Sequence, residues 1–146
     1  MVAEPAGAFQ AEVVFTMLPD DPAIREVLLS ADVLRTARPG SVRVVISTIS
    51  VEFAGELAVA HGEAGGGFVS APVFGRPDMA REGQLNILAA GKRQAVERVR
   101  PLLQVLGKKA WDMGETPARA NAAKTAANMM ITMATEAMAE ALFRSE

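Results

Sequence analysis

The chain has 146 residues, half of them hydrophobic, and a formal net charge of −2 at pH 7. This length fits one domain, or one domain with an arm, and the apolar content suffices for a sizeable core. Cysteine is absent and histidine occurs once, which excludes disulfides, thiolate catalysis and a histidine-rich metal site. No basic patch with interleaved aromatic residues, apolar run of roughly 18 residues or secretory signal is found, so we expect a cytoplasmic chain without nucleic-acid or membrane partners.

The first half of the chain alternates apolar, β-branched runs with amphipathic stretches. Two runs predict strands that are buried on both faces, at residues 12–17 and 42–47. After the first run, Asp21 is expected to cap a helix with Pro22 at its first position. After the second, Ser50 is expected to cap a helix that ends near residue 64. His61 lies late in this helix and is expected at its surface.

The second half predicts three further strands and two longer helices. The strands are expected at 68–71, 85–90 and 110–113, and the helices at 92–106 and 117–143. The segment 72–83, with two prolines and two glycines, is expected to be a loop. At 1.5 Å per residue the last helix is about 40 Å long, which exceeds the face of a small domain. Alternating strands and helices indicate an α/β fold with a largely parallel sheet.

Three loops follow the first three predicted strands, at residues 17–20, 47–50 and 71–77. Ligands of parallel α/β sheets bind beyond the carboxyl ends of the strands, so we expect these loops to lie side by side at a ligand site.

Lys124 and Asn128 stand four residues apart in the Ala- and Met-rich last helix, so they share a face, with Asn121 close to it. A dehydrogenase that acts on a hydroxyl needs a cation to handle the substrate proton and an amide to orient the substrate. The alternative is a solvent-facing pair on a helix surface.

Taken in order, the three loops, the Leu-Asn-Ile-Leu-Ala-Ala-Gly segment and the Lys124/Asn128 helix resemble the β-hydroxyacid dehydrogenases, such as 3-hydroxyisobutyrate dehydrogenase and, more distantly, the imine reductases. The resemblance extends from about Ala11 to Ala141. It implies hydride transfer between NAD or NADP and a small hydroxy acid or its carbonyl form. It also implies an incomplete Rossmann-like, mostly parallel sheet in residues 1–115, followed by a long interdomain-type helix in residues 116–146.

The resemblance also assigns roles to individual residues. Lys124 matches the catalytic lysine, and Asn128 matches the amide that orients the substrate. The residues that match the cofactor loops are Met17, Leu18, Pro19, Ser47 and Thr48. The residues that match the substrate loop are Phe74, Gly75 and Arg76.

The substrate loop departs from the pattern of the family it resembles. Ser70 replaces the usual acid, Phe74 replaces a serine, and Arg76 replaces the second of two glycines. The phenyl ring cannot donate a hydrogen bond to a substrate carboxylate. Arg76 is expected either to compensate through a bidentate carboxylate contact or to point into solvent.

The Gly-x-Gly-x-x-Gly turn that cradles a dinucleotide pyrophosphate does not occur in the sequence. The resemblance therefore implies a truncated family member, without the N-terminal dinucleotide unit and the helical C-terminal domain, that binds NAD(P) weakly or not at all. Three functions stay open: an inactive fragment of an oxidoreductase, an oxidoreductase assembled from several chains, and an oligomeric small-ligand-binding or interaction module derived from the family.

Self-association is expected for two reasons. The apolar strand near residues 13–17 would be an unpaired sheet edge. The last helix carries an apolar stripe, here called the first face, that consists of Ala126, Met129, Met130, Met133, Ala137 and Ala141. We therefore expect a homodimer or higher oligomer in which the long helices pack between chains.

Overall fold

The computed structural model describes residues 5–144 as an α/β fold of six strands and seven helices. The strands are β1 (Val13–Thr16), β2 (Val42–Val45), β3 (Gly67–Ser70), β4 (Val73–Phe74), β5 (Leu85–Gly91) and β6 (Gly107–Asp112). The helices are α1 (Pro5–Ala8), α2 (Asp21–Leu28), α3 (Ala31–Thr36), α4 (Val51–Glu63), α5 (Pro77–Arg81), α6 (Arg93–Leu106) and α7 (Ala118–Phe143).

The first three strands form a parallel sheet in chain order. Val13 of β1 is opposite Val42 of β2, which is opposite Gly67 of β3. All four residues of β2 are buried, as expected for a central strand of a sheet with helices on both faces. Among the described residues β1 pairs with β2 alone, so β1 is one edge of the sheet.

The remaining strands add an antiparallel pairing to this sheet. β3 and β4 both pair antiparallel with β5, and the two pairings share one register. Between β3 and β4, the Pro72 carbonyl accepts from Leu88 N–H of β5 at 2.9 Å. β6 is parallel to β5. The predicted mostly parallel α/β sheet is therefore confirmed, whereas the segment expected to be a loop, 72–83, contains β4 and α5.

Two apolar cores cover the two faces of the sheet. On one face α6 packs through Val96, Val99 and Leu103 against Val44 and Ile87. The other core, beneath α2, α3 and α4, includes Ile24, Leu28, Val33, Val45, Phe53 and Leu57. Alternate residues of β2 enter opposite cores, because successive side chains of a strand point to opposite faces.

Side-chain caps fix the starts of α2 and α4. Ser50 caps α4 as predicted, and its hydroxyl accepts from Phe53 N–H at 3.2 Å. The predicted cap of α2 is one residue off, because Asp20 rather than Asp21 accepts from Ala23 N–H, at 2.9 Å. Asp21 is already helical, and its carboxylate instead accepts from Ser50 N–H at 3.2 and 3.3 Å.

The expectation of a surface histidine is wrong. His61 is 3% exposed at the end of α4, and its ring stacks on Phe68 with a centroid distance of 5.8 Å. Burial, and secondly the charge of the buried Arg43, lower the pKa of His61 from 6.5 to about 4. The helical periodicity places position 61 one turn after Leu57, and this inward face of α4 continues to the histidine.

The last helix, α7, has 26 residues and differs along its length. Its buried residues, Ala120, Asn121 and Lys124, all lie in the first two turns, which pack on α4, β5 and β3. The following turns are mostly exposed. Of the described helices, none has the length and apolarity needed to cross a membrane.

Candidate functional site

Hydrogen bonds join the loops that follow β1 and β2. The Ser47 hydroxyl accepts from Leu18 N–H at 2.8 Å and donates to the Leu18 carbonyl at 2.7 Å. The Asp21–Ser50 contact links the second loop to the start of α2. The carboxyl end of β3 lies beside that of β2, because the two strands are parallel neighbours. The loops therefore lie side by side, as the parallel topology predicts.

Asn121 fastens α7 to the loop after β2 and to the end of β3. It is fully buried, its amide donates to the Ser70 hydroxyl, and its carbonyl oxygen accepts from Ile49 N–H at 3.2 Å. Asn121 thus joins the end of β3 and the loop after β2 to the first turn of α7. The sequence placed Asn121 near the Lys124 face but did not indicate this bridging contact.

Lys124 lies one turn after Asn121 and is 9% exposed. Its ammonium Nζ is 3.8 Å from the centroid of the Phe74 ring. Among the described residues, no carboxylate lies within ion-pair distance of Lys124. Burial lowers the pKa of the Lys124 ammonium, since desolvation disfavours its charged form. An amine in this setting gives up a proton more readily than an exposed lysine.

The substrate-matching loop turns away from Lys124 directly after Phe74. Gly75 has φ = 146°, and a Cβ at this position would meet Leu85 Cδ2 at 2.5 Å, so the turn requires glycine. The chain then enters α5, and the Arg76 side chain is 82% exposed and paired with Asp78 at 3.1 Å. Of the two expectations for Arg76, the structure shows the solvent-facing one.

The other predicted site residues differ in exposure. Met17, Pro19 and Thr48 are exposed at the loop tips, while Leu18 is half-buried. Ser47 is buried, and its hydroxyl is occupied by the Leu18 backbone. Asn128 is exposed one turn beyond Lys124, with its backbone carbonyl accepting from the Thr132 hydroxyl at 3.0 Å. The groups open to a ligand at this end of the sheet include the Thr48 hydroxyl and the Asn128 amide.

The helices that follow β1 and β2 do not offer free N-termini to a phosphate. Asp20 caps α2, and Ser50 caps α4 with the Asp21 carboxylate beside it. Phosphates bind at helix N-termini through unpaired N–H groups and the positive end of the helix dipole. Two carboxylates at these positions oppose a second anion. The N-termini of α2 and α4 therefore disfavour a pyrophosphate.

Known proteins share this sequence and architecture. Residues 2–114 match the family model of the NAD-binding domain of 6-phosphogluconate dehydrogenase. The chain is 39% identical over 140 residues to the uncharacterized oxidoreductase YfjR of Bacillus subtilis, covering 95% of this chain and 49% of YfjR. It is 33% identical to the 2-hydroxy-3-oxopropionate reductase of Escherichia coli, covering 90% of this chain and 45% of that protein.

The solved structure of the 3-hydroxyisobutyrate dehydrogenase of Mycobacterium tuberculosis superimposes with a TM-score of 0.87 at 33% identity. The match covers 94% of this chain and 46% of that one, so the chain spans about half the length of the relatives it matches. The resemblance seen in the sequence is confirmed. The chain belongs to the NAD-binding family of 6-phosphogluconate dehydrogenase, among relatives of the 3-hydroxyisobutyrate and 2-hydroxy-3-oxopropionate dehydrogenase type.

Proposed function

We propose that this chain carries the substrate end and the acid/base group of an NAD(P)-dependent oxidoreductase. The reaction is hydride transfer between a nicotinamide and a small hydroxy compound or its carbonyl form. Residues 1–115 would form the partial Rossmann-like unit of this enzyme, and the segment 116–146, which contains α7, would connect it to a further domain. The relatives' names and the family match support the reaction class.

The observation that carries the proposal is the placement of Lys124. Lys124 is 9% exposed, its ammonium has no ion-pair partner among the described residues, and partial desolvation of such a charge costs free energy. Groups with perturbed pKa values cluster at functional sites. Asn121 holds this ammonium at the carboxyl ends of β2 and β3, where ligands of such sheets bind. Lys124 would give its proton to the substrate oxygen during reduction and take it back during oxidation. Asn128, on the same face of α7, would orient the substrate.

The cofactor would contact this chain through its nicotinamide end. Met17, Leu18 and Pro19 would lie along it, and Ser47 with Thr48 would form the second contact, in which only Thr48 has an exposed hydroxyl. Without a Gly-x-Gly-x-x-Gly turn, most of the charge of NAD or NADP lacks a partner in this sequence. We therefore infer weak dinucleotide binding and no turnover by the chain alone.

A second function, as an oligomeric interaction or small-ligand-binding module, is favoured by the outer turns of α7. Met129, Met130 and Met133 are each more than 60% exposed on the first face defined above. Ile131, Met138 and Leu142 are also exposed and lie roughly 130° away around the helix, on what we call the second face. A helix that is apolar on two faces needs more than one covering neighbour. Packing of these turns between copies of the chain would supply it.

A chimera tests the oxidoreductase function. In the chimera, the segments of YfjR that precede and follow its matched region are joined to the two ends of this chain. These segments supply the parts of YfjR that the match does not cover. The chimera is expected to transfer hydride between NAD(P) and members of a panel of small hydroxy compounds. Lys124→Ala is expected to lower kcat by about 10²–10⁴-fold without changing NAD(P)H affinity. Lys124→Arg should fail as well, because arginine stays protonated. Near-normal turnover in Lys124→Ala would exclude the role of Lys124.

The chain alone provides the second test. Calorimetric titration of NADH and NADPH into the purified protein is expected to give dissociation constants no tighter than about 100 μM, because the phosphate-binding amides are lacking. A constant in the low micromolar range would show that another surface of this chain binds the phosphates.

A further inference from the structure

The side chain that faces the Lys124 ammonium is an aromatic ring. Phe74 ends β4, is half-buried, and places its ring centroid 3.8 Å from Nζ. The face of a phenyl ring carries the negative part of its quadrupole, so the ring attracts the ammonium and repels an anion. A carboxylate that bound the ammonium on this side would have to displace the ring or lie against its repelling face.

The polar side chains of the substrate-matching loop have partners within the protein. The Ser70 hydroxyl accepts from Asn121, and both polar atoms of the Asn121 amide are bonded. Arg76 turns outward and pairs with Asp78. Arg76 itself is exposed, and it follows Gly75, whose φ of 146° is a backbone conformation that favours glycine. Phe74 has no hydrogen-bond donor in its side chain, so the position that faces Lys124 adds none that could hold a carboxylate there.

We propose that the site at Lys124 accepts a neutral carbonyl or imine compound with an apolar substituent on its reacting carbon, and discriminates against carboxylate-bearing substrates through Phe74. This inference rests on the proposed function and replaces the hydroxy acid that the sequence resemblance implies. Lys124 supplies one donor to the reacting oxygen or nitrogen, and the Phe74 ring packs against the apolar substituent.

Reductive trapping of aldehydes tests the proposal on the chain as it exists. An aldehyde and a lysine amine condense to an imine and water, and added cyanoborohydride then delivers hydride to the imine carbon, so that the adduct is fixed. Benzaldehyde and glyoxylate represent the neutral and the carboxylate-bearing class. Peptide mass spectrometry measures modification at each of the four lysines, Lys92, Lys108, Lys109 and Lys124.

The exposed lysines normalise the intrinsic reactivity and hydration of each aldehyde. Lys109 is the matched control, because its Nζ is 3.4 Å from the Trp111 ring centroid but lies on the exposed strand β6. The ratio of benzaldehyde to glyoxylate adducts at Lys124 is expected to exceed that at Lys109 by about tenfold, which is about 1.4 kcal/mol of discrimination. Phe74→Ser should bring the Lys124 ratio down to that of Lys109, whereas Phe74→Leu should retain part of the preference.

The outcomes separate the two proposals. If Lys124 is modified but shows the same ratio as Lys109, or prefers glyoxylate, the substrate class is wrong while the accessible acid/base lysine stands. If neither aldehyde modifies Lys124 while the exposed lysines react, Lys124 is closed to substrates, and the proposed function is overturned together with this inference.

Discussion

The two parts of α7 differ in the kind of side chain that they bury and expose. The anchored part, Ala118–Lys124, buries two polar side chains, an amide with both of its polar atoms bonded and an ammonium under an aromatic ring. The open part, Thr125–Phe143, exposes methionine, isoleucine, leucine and phenylalanine to solvent. Stability alone would favour the reverse arrangement, with the apolar side chains buried and the polar ones exposed. Burial of apolar groups stabilises a fold, whereas burial of polar groups costs free energy. This difference matches the two functions proposed above, acid/base chemistry for the anchored part and contact with another chain for the open part.

The strongest test of the anchored part is Asn121→Ala. The change leaves the Ser70 hydroxyl and Ile49 N–H buried without partners and opens a small cavity, which should lower the free energy of unfolding by about 3 kcal/mol. Asn128→Ala is the control, because Asn128 is exposed one helical turn beyond Lys124. This change should alter the free energy of unfolding by no more than about 0.5 kcal/mol. Urea unfolding measures both variants. Equal effects of the two substitutions would mean that Asn121 does not anchor the helix.

Acid pH should lower the free energy of unfolding of the domain on which the anchored part packs. His61 lies in α4, which packs against α7, and its pKa is lowered to about 4 in the folded state. Between pH 6.5 and 4 the unfolded chain binds the proton that the folded chain excludes, so stability is complete above pH 6.5 and falls as the pH falls. At pH 5 the loss due to His61 is about 2 kcal/mol.

His61→Phe keeps a ring against Phe68 and removes the titrating group, so this variant should lose less stability than the wild type between pH 7 and 5. Thermal unfolding at both pH values gives the comparison. Parallel pH profiles for wild type and His61→Phe would show that His61 does not control acid sensitivity.

The sequence predicted the sheet well because its signal is local. Continuous β-branched runs specified β1 and β2, and Ser50 with the following apolar spacing specified α4. The cap at Asp20 was missed because two adjacent aspartates offer the same chemistry, and the choice depends on Ser50, which lies 29 residues further on.

The site was predictable only in part, because its geometry depends on contacts between distant segments. Lys124 and Asn128 stand out through their spacing in a helix that is otherwise nearly all apolar. The bond from Asn121 to Ser70 crosses 51 positions, and Arg76 points outward in a turn where the sequence left two directions open. The apolar residues of the open part were predicted as one stripe, whereas exposure of Ile131, Met138 and Leu142 adds the second face.

A smaller effect, of opposite sign, is expected at Lys124. Lys124→Met keeps the length and a contact with Phe74 but removes a partly desolvated charge without an ion-pair partner, so it should raise the free energy of unfolding by at most about 1 kcal/mol at neutral pH. Because burial lowers the pKa of this ammonium, the cost of its charge is present at neutral pH and disappears as the pH rises through its folded-state pKa toward 10.5.

The increase in the free energy of unfolding that Lys124→Met causes should therefore become smaller as the pH approaches 10. Lys109→Met is the matched control, since Lys109 also contacts an aromatic ring but is exposed, and its stability should be unchanged. A destabilised Lys124→Met, measured by urea unfolding, would mean that the Phe74 contact stabilises the ammonium by more than its desolvation costs, and it would give Lys124 a structural role.

The open part should contribute the least to the stability of a single chain and the most to association. Met130→Gln with Met133→Gln alters the first face of α7, and Ile131→Gln with Met138→Gln alters the second. Each pair is expected to change the unfolding free energy of the dilute chain by less than about 0.5 kcal/mol per site, because these side chains are exposed.

In sedimentation equilibrium the wild type should associate at micromolar concentration, and each pair should weaken association at least about tenfold, since two apolar anchors are lost from the interface. Glu136→Gln, an exposed change on the same helix that removes no apolar group, should leave association intact. If only one pair has an effect, one face alone is covered by the partner chain, and a wild-type monomer throughout this range would remove the interaction role from the open part altogether.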